Sequence, residues 1–293
     1  MIVQWYPGHM NKARKMMEAD VKLVDLIVEI LDARAPLSSR NPDIDKMAGS
    51  KARLIIMNKA DLADNTISDR WKKYFDDKGI KTVFLNSKNK DGLRLVMPAI
   101  KEVCESKLKK DADRGIRNQT IRCMVVGIPN VGKSTFINAI SGKNAAKTGN
   151  KPGVTVGKQW IHLNKELELL DTPGILWPKF EDQNVGKRLA YLGSINDEII
   201  VIEELAGELL VFLLDEYPDL LKERYGLDID AINSLDFDSF ETFTTKQSYT
   251  MDLIAKARGC LKAGGATDYF KTAGVILDDF RSGKIGKITL EKP

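Results

Sequence analysis

Short, largely apolar runs, each closing on a polar or glycine-bearing turn, dominate the first half of the chain. Leu26–Leu31 closes on Asp32, Leu54–Met57 on Asn58, Thr82–Leu85 on Asn86-Ser87, Cys123–Val126 on Gly127 and Leu167–Leu170 on Asp171. Runs of this kind predict strands buried on both faces, as in a parallel sheet covered by helices. Helical segments alternate with them: residues 69–78 stopped by Gly79, Leu93–Leu108 with Pro98 near its start, and Ser134–Ser141 stopped by Gly142. The pattern predicts a doubly wound α/β domain with a mostly parallel sheet and ligand-binding groups at the carboxyl ends of its strands.

Beyond Pro178 the strand-like runs fade. Ala206–Asp215 is amphipathic, Asp219–Tyr225 stops at Gly226, and Met251–Leu261 stops at Gly264-Gly265. Thr267 is the predicted N-cap of a last helix whose Tyr269, Phe270, Ala273, Ile276, Leu277 and Phe280 recur at helical spacing. A smaller all-helical domain is therefore expected over 178–293, after an α/β domain over 1–177. The greasiest stretch, Ile199–Leu214, is interrupted by Glu203, Glu204 and Glu208 and reads as a core element rather than a membrane span.

The turns carry recognisable chemistry. Gly127-Ile128-Pro129-Asn130-Val131-Gly132-Lys133-Ser134 fits G-x-x-x-x-G-K-[ST] between a strand-like run and a helix-like one. Its glycines let backbone N–H groups curl around phosphate oxygens, and the helix N-terminus adds positive potential. Lys133 is expected to bridge β- and γ-phosphates and Ser134 to ligate Mg²⁺, with Asn130 to Thr135 together contacting GTP. Asn58-Lys59-Ala60-Asp61 at another strand end suits guanine, because one carboxylate accepts from both N1–H and the exocyclic amine. Adenine would leave it desolvated and unpaired, so such sites discriminate by roughly 10⁴ or more. Asn86-Ser87 stands where a backbone N–H would meet guanine O6. Asp171-Thr172-Pro173-Gly174 supplies a water-mediated metal contact through Asp171 and a γ-phosphate contact through the Gly174 N–H. Together these predict GTP rather than ATP.

The order of these elements is rearranged. The base-reading tetrad precedes the phosphate loop, whereas in ordinary GTPases it follows, so a circularly permuted P-loop GTPase domain is expected. The basic stretch from Glu105 to Arg122 then reads as a solvated connector rejoining the ends of an unpermuted domain, in preference to an RNA-facing patch. Between the phosphate loop and Asp171, Thr155 is the candidate second metal ligand. Residues 141–160, rich in glycine and lysine and lacking acids, are expected to order only with triphosphate bound. Ile175 occupies the position where many switch GTPases keep a water-orienting glutamine. His9 is a candidate substitute, since a neutral imidazole can orient or deprotonate water. From the residues alone it reads equally as a turn residue after Pro7-Gly8.

Composition changes little. The chain has 293 residues, a formal net charge of +4 and 43% hydrophobic residues. It is mildly basic, which is compatible with an anionic partner. Cys104, Cys123 and Cys260 lie in apolar runs without Cys or His neighbours, so reduced thiols and a cytoplasmic location are expected. The first residues carry no targeting signal.

Trp5-Tyr6-Pro7-Gly8-His9-Met10, Leu31-Asp32-Ala33-Arg34-Ala35-Pro36, the tetrad at Asn58, the phosphate loop, Pro152-Gly153-Val154-Thr155, Asp171 to Pro178 and Asp279-Phe280-Arg281-Ser282-Gly283-Lys284 recur together in one family. On these motifs the chain resembles the ribosome biogenesis GTPase A family along nearly its whole length. Tyr6 replaces the Phe of many relatives, and Asn86 the Ser of many GTPases. The resemblance implies GTP hydrolysis to GDP in late assembly of the large (50S) ribosomal subunit, stimulated by the particle, with 23S rRNA and ribosomal proteins as partners. It implies a catalytic contribution from His9, and a K⁺ at Asn130 that supplies positive charge where an arginine finger otherwise acts. Helical-domain cations (Lys256, Arg258, Lys262, Lys271, Arg281, Lys284, Lys287) are collectively candidates for rRNA phosphates, although solvated helix faces explain any one of them. Three other readings stay open. A P-loop kinase would need an acceptor, a non-ribosomal signalling switch would answer to a protein activator, and a pure GTP-gated binding module would show no turnover.

Overall fold

The computed structural model describes residues 8–116, 119–142, 145–146, 159–235 and 245–293, with His9 described by its backbone alone. The chain forms two compact units. One runs to Leu189 and takes back Thr289–Pro293; the other is Ala190–Ile288.

The first unit is built on strands β1 (Leu26–Asp32), β2 (Ala52–Asn58), β3 (Lys81–Leu85), β4 (Ile121–Val126), β5 (Gln159–His162) and β6 (Leu167–Asp171). Their order is β3-β2-β1-β4-β6-β5, and all neighbours are parallel except β5 against β6. The chain enters at the centre on β1, moves outward through β2 and β3, returns beside β1 at β4, and fills the other edge. The reversal between β1 and β4 is a topological switch point, where doubly wound sheets bind ligands at their carboxyl ends. Every residue of β1 is buried, including Glu29, which interrupts an otherwise apolar run and pairs with Arg40 and Arg53.

Helices α1 (Gly8–Asp20), α2 (Pro42–Ala48), α3 (Asn65–Asp77), α4 (Val96–Val103), α5 (Glu105–Asp113), α6 (Lys133–Ser141) and the start of α7 (Gln183–Tyr191) flank this sheet. Ile67, Trp71 and Phe75 fall on one face of α3 and pack on Leu31, Ile55 and Met57. Asp64 caps α3 by accepting from the Ile67 N–H at 3.0 Å. That packing fixes the chain immediately after the tetrad at Asn58.

Several boundaries differ from expectation. The helix expected over Leu93–Leu108 is a 3₁₀ turn followed by α4 and α5, with a bend at Cys104. Backbone hydrogen bonds continue through the bend, from Cys104 to Ile100 and from Leu108 to Cys104. Pro98 is the third residue of α4, where a missing N–H costs nothing. The expected connector after Glu105 is largely helix, stabilised by the Lys109–Glu105 and Lys107–Asp111 pairs one turn apart. The edge strand β5, mostly exposed and without a clean alternation, had no readable signal.

The division between units falls at Leu189/Ala190 rather than after Trp177. Trp177 packs edge-on against Phe180 at 5.1 Å, and Arg188 donates to Ser38 Oγ at 3.3 Å, so this stretch stays with the sheet. Residues 289–293 likewise belong to the first unit.

The second unit comprises α8 (Ile202–Glu216), α9 (Pro218–Tyr225), α10 (Ile229–Ser234), α11 (Lys246–Arg258) and α12 (Tyr269–Arg281). Helix α8 buries Leu205, Leu209, Leu210 and Leu213 among α9, α11 and α12. The N-cap of α12 is Asp268, whose carboxylate accepts from the Lys271 N–H, and not Thr267, which pairs with Leu261 in a β-bridge. Buried Asp279 accepts from Arg224 Nε and Nη2 at 3.0 Å and from the Tyr225 hydroxyl at 3.2 Å. Arg281 donates to the carbonyls of Ala190 and Tyr191 and pairs with Asp197. The Asp279–Lys284 motif thus ties this unit together. Among the described residues no helix is long and apolar enough to cross a membrane.

Candidate guanine-nucleotide site

The phosphate loop leaves the end of β4 and enters α6. Gly127 has φ +152°, and a Cβ there would lie 2.5 Å from the Ile30 carbonyl oxygen. Gly132, at φ +95°, lies against the Asn58 amide, so a side chain at either glycine would displace a neighbouring strand end. Asn130 also holds a positive φ, +61°. Lys133 opens α6 and turns back on the loop, donating to the Gly127 and Ile128 carbonyls at 3.1 and 2.9 Å. Burial pushes its ammonium down to about 8, against the opposing pull of Asp171. Ser134 and Thr135 follow, half-buried, in the first turn of α6.

The tetrad at Asn58 opens at the end of β2, where Asp32 is level with Asn58 and Asn58 is level with Leu85. The Asn58 amide donates to the Val131 carbonyl at 2.7 Å and accepts from the Ser87 N–H at 3.1 Å. Lys59, in the left-handed region at φ +59°, donates to the Asn130 carbonyl and to Asp32, both at 2.8 Å. These two residues therefore stitch the tetrad loop, the phosphate loop and the Asn86-Ser87 turn into one framework. Asn86 caps its own turn, accepting from the Lys88 and Asn89 N–H groups. Ala60 and Asp61 lie on a single 3₁₀ turn, Ala60–Leu62, with Asp61 exposed.

Asp32 and Arg34 belong to this framework, although the sequence marked them only as a strand end and as part of a recurring motif, with no role assigned. Arg34 donates to Asp32 from its backbone N–H, Nε and Nη2 at 2.9–3.1 Å, and both side chains are 1% exposed. Burial alone would raise the Asp32 carboxyl, but Arg34 and Lys59 outweigh it and hold the group well below the usual carboxylate range.

On the opposite side, β6 delivers Asp171. Its Oδ1 is buried and accepts no hydrogen bond among the described residues. Burial lifts the carboxyl to about 6 despite the attraction of Lys133. Thr172 points away, its hydroxyl donating to the Val125 carbonyl at 2.7 Å. A Cβ on Gly174 would lie 2.7 Å from Lys133 Nζ and 2.9 Å from the Pro129 backbone nitrogen, so this glycine rests directly on the phosphate loop. The Ile175 side chain is buried, and its carbonyl accepts from Asn41 at 3.2 Å. Thr155 and the His9 side chain lie outside the described residues.

Among the helical-unit cations, Arg281 is engaged internally as described, Arg258 donates to the Arg224 carbonyl, and Lys271 to that of Gly259. Lys256 and Lys262 are exposed.

A six-stranded sheet threaded in this order, with a phosphate loop and a guanine-type tetrad meeting at its switch point, defines a circularly permuted P-loop GTPase with a helical second unit. A family model for 50S ribosome-binding GTPases matches residues 122–247. Ribosome biogenesis GTPase A of Bacillus cereus is 48% identical over 293 residues, covering 100% of this chain and 95% of that protein. The mitochondrial ribosome-associated GTPase 1 of Xenopus tropicalis is 32% identical over 99% of this chain and 94% of its own length. Among solved structures, GNP-bound YlqF from T. maritima superposes with a TM-score of 0.64 at 24% identity, covering 96% of this chain and 98% of that one. The chain belongs to the ribosome biogenesis GTPase A family.

Proposed function

We propose that this GTPase binds GTP with Mg²⁺ and hydrolyses it while acting in late assembly of the large ribosomal subunit, with turnover stimulated by the particle. One observation carries the site: Asn58 and Lys59 bond directly to phosphate-loop carbonyls, which joins the loop bearing Asp61 to the loop bearing Lys133. Asp61 then reads the guanine edge, with the Ser87 backbone beside O6. Asn130 to Thr135 hold the phosphates, and the Gly174 N–H meets the γ-phosphate.

The buried Asp171 Oδ1, which accepts no hydrogen bond among the described residues, fits an oxygen-ligated dication, with Ser134 as direct ligand, Thr155 as second ligand and Asp171 acting through water. When bound, Mg²⁺ neutralises charge developing on the β–γ bridge. Ile175 has no group to orient water, so we assign that task to His9, with a K⁺ at Asn130 supplying further charge. Ribosomal association is supported by the relatives, a ribosome biogenesis GTPase and a mitochondrial ribosome-associated GTPase, and exposed Lys256 and Lys262 are offered to rRNA phosphates.

Asp61→Asn should move nucleotide preference from GTP toward xanthosine triphosphate, measured by competitive binding; unchanged preference overturns the site. GTP turnover should rise with purified 50S particles and with K⁺. Stimulation by a protein activator alone would favour the signalling reading, and His9→Ala with unchanged stimulated turnover would remove the histidine from the mechanism.

A further inference from the structure

Thr289, Leu290 and Glu291 are buried in the sheet-bearing unit, although the chain reaches them straight from the helical one. Each touches a loop that carries part of the nucleotide framework. Thr289 Oγ1 accepts from the Asp64 N–H at 3.0 Å, three residues after Asp61 and at the cap of α3. The Leu290 N–H donates to the Arg34 carbonyl at 2.7 Å. The Glu291 carboxylate accepts from the N–H groups of Leu37 and Ser38 at 2.6 and 2.9 Å, from the Ser38 hydroxyl at 2.6 Å and from Arg188 at 2.9 Å. Its backbone carbonyl accepts from Trp71 Nε1 at 3.0 Å, on the helix that follows the tetrad.

The segment therefore bridges the loop after β1 to the loop after β2. The first carries Arg34, which saturates Asp32; Asp32 holds Lys59, and Lys59 holds the phosphate loop. The second carries Asp61. Charge-assisted bonds to a buried carboxylate are strong, and an acceptor withdrawn from a buried N–H leaves that donor unpaired, so the contacts resist slippage between the loops.

We propose that Thr289–Glu291 is a positioning element of the guanine-nucleotide site. It holds the Asp61 loop in register with the Asp32–Arg34 loop, and so sets nucleotide affinity without touching nucleotide. The proposal rests on the site reading above. It requires a base-side effect, seen equally with GDP and with a non-hydrolysable GTP analogue, because no γ-phosphate group is involved.

The test uses the full chain, with affinity and dissociation rate followed by a fluorescent GDP derivative and the folded fraction set by active-site titration. Thr289→Val keeps the shape but removes the acceptor for Asp64. It should weaken GDP about tenfold, through faster dissociation, while Thr289→Ser stays within about twofold of wild type. Should Thr289→Val not fold, Ser38→Ala, which removes one donor to Glu291, should raise the dissociation rate about threefold. A lowered melting temperature with unchanged affinity and dissociation in these variants overturns the proposal, leaving the segment a purely structural tie. Asp61→Asn run alongside separates the two ideas. If Asp61→Asn leaves GDP binding intact, the site reading fails and this proposal with it. If Asp61→Asn abolishes binding while Thr289→Val leaves it unaltered, the positioning role alone falls.

Discussion

Asp171→Asn should make the nucleotide-free protein more stable at neutral pH, and the gain can be worked from the site. Burial pushes the carboxyl up to about 6 from an ordinary 3.8, and Oδ1 accepts no hydrogen bond among the described residues. Forcing it to ionise in the folded state therefore costs about 3 kcal/mol. That figure already contains the attraction of Lys133, whose own ammonium is pushed down to about 8 by burial. The sign follows from proton uptake. Between about pH 4 and 6 the folded state binds more protons than the unfolded chain, so this group makes stability fall as pH rises through that window. Asparagine removes the penalty, so the variant should gain about 3 kcal/mol near pH 7.5 and almost nothing near pH 4. Urea unfolding of nucleotide-stripped protein, followed by tryptophan fluorescence, measures this cleanly, since all four tryptophans precede Ala190 in the chain. Adding Mg²⁺ and GDP should stabilise wild type more than the variant. A variant no more stable than wild type at pH 7.5, or a gain that persists unchanged to pH 4, would refute the reasoning.

Gly174→Ala drives a Cβ against Lys133 Nζ and the Pro129 backbone, so single-turnover GTP hydrolysis should drop at least about tenfold while GDP affinity changes less than about threefold. Lys59→Met removes a donor from Asp32 and the tie to the Asn130 carbonyl; calorimetric titration should find GDP bound about tenfold more weakly. Arg34→Met leaves the buried Asp32 carboxylate short of its main partner, and chemical denaturation should register a loss of about 3–5 kcal/mol.

The parallel strands, their loaded carboxyl ends and the permuted order were all legible in the sequence, because each is written locally. A largely apolar run that stops at Asp32, Asn58, Gly127 or Asp171 announces a buried strand and the turn at its carboxyl end within a few residues. Glycines at 127 and 132 are likewise demanded by backbone conformation and close approach, which the motif itself encodes. Tertiary structure alone decided the rest. Asp32 and Arg34 are two residues apart, yet nothing in their spacing reveals that the pair will be buried, and nothing near Glu291 reveals donors 253 and 254 residues away. Arg281 looked like a surface cation until Ala190, Tyr191 and Asp197 were brought to it. Charged side chains have no periodic signature of burial: whether such a group faces water or a partner is settled only when distant segments meet, and desolvation then makes that meeting a requirement of the fold.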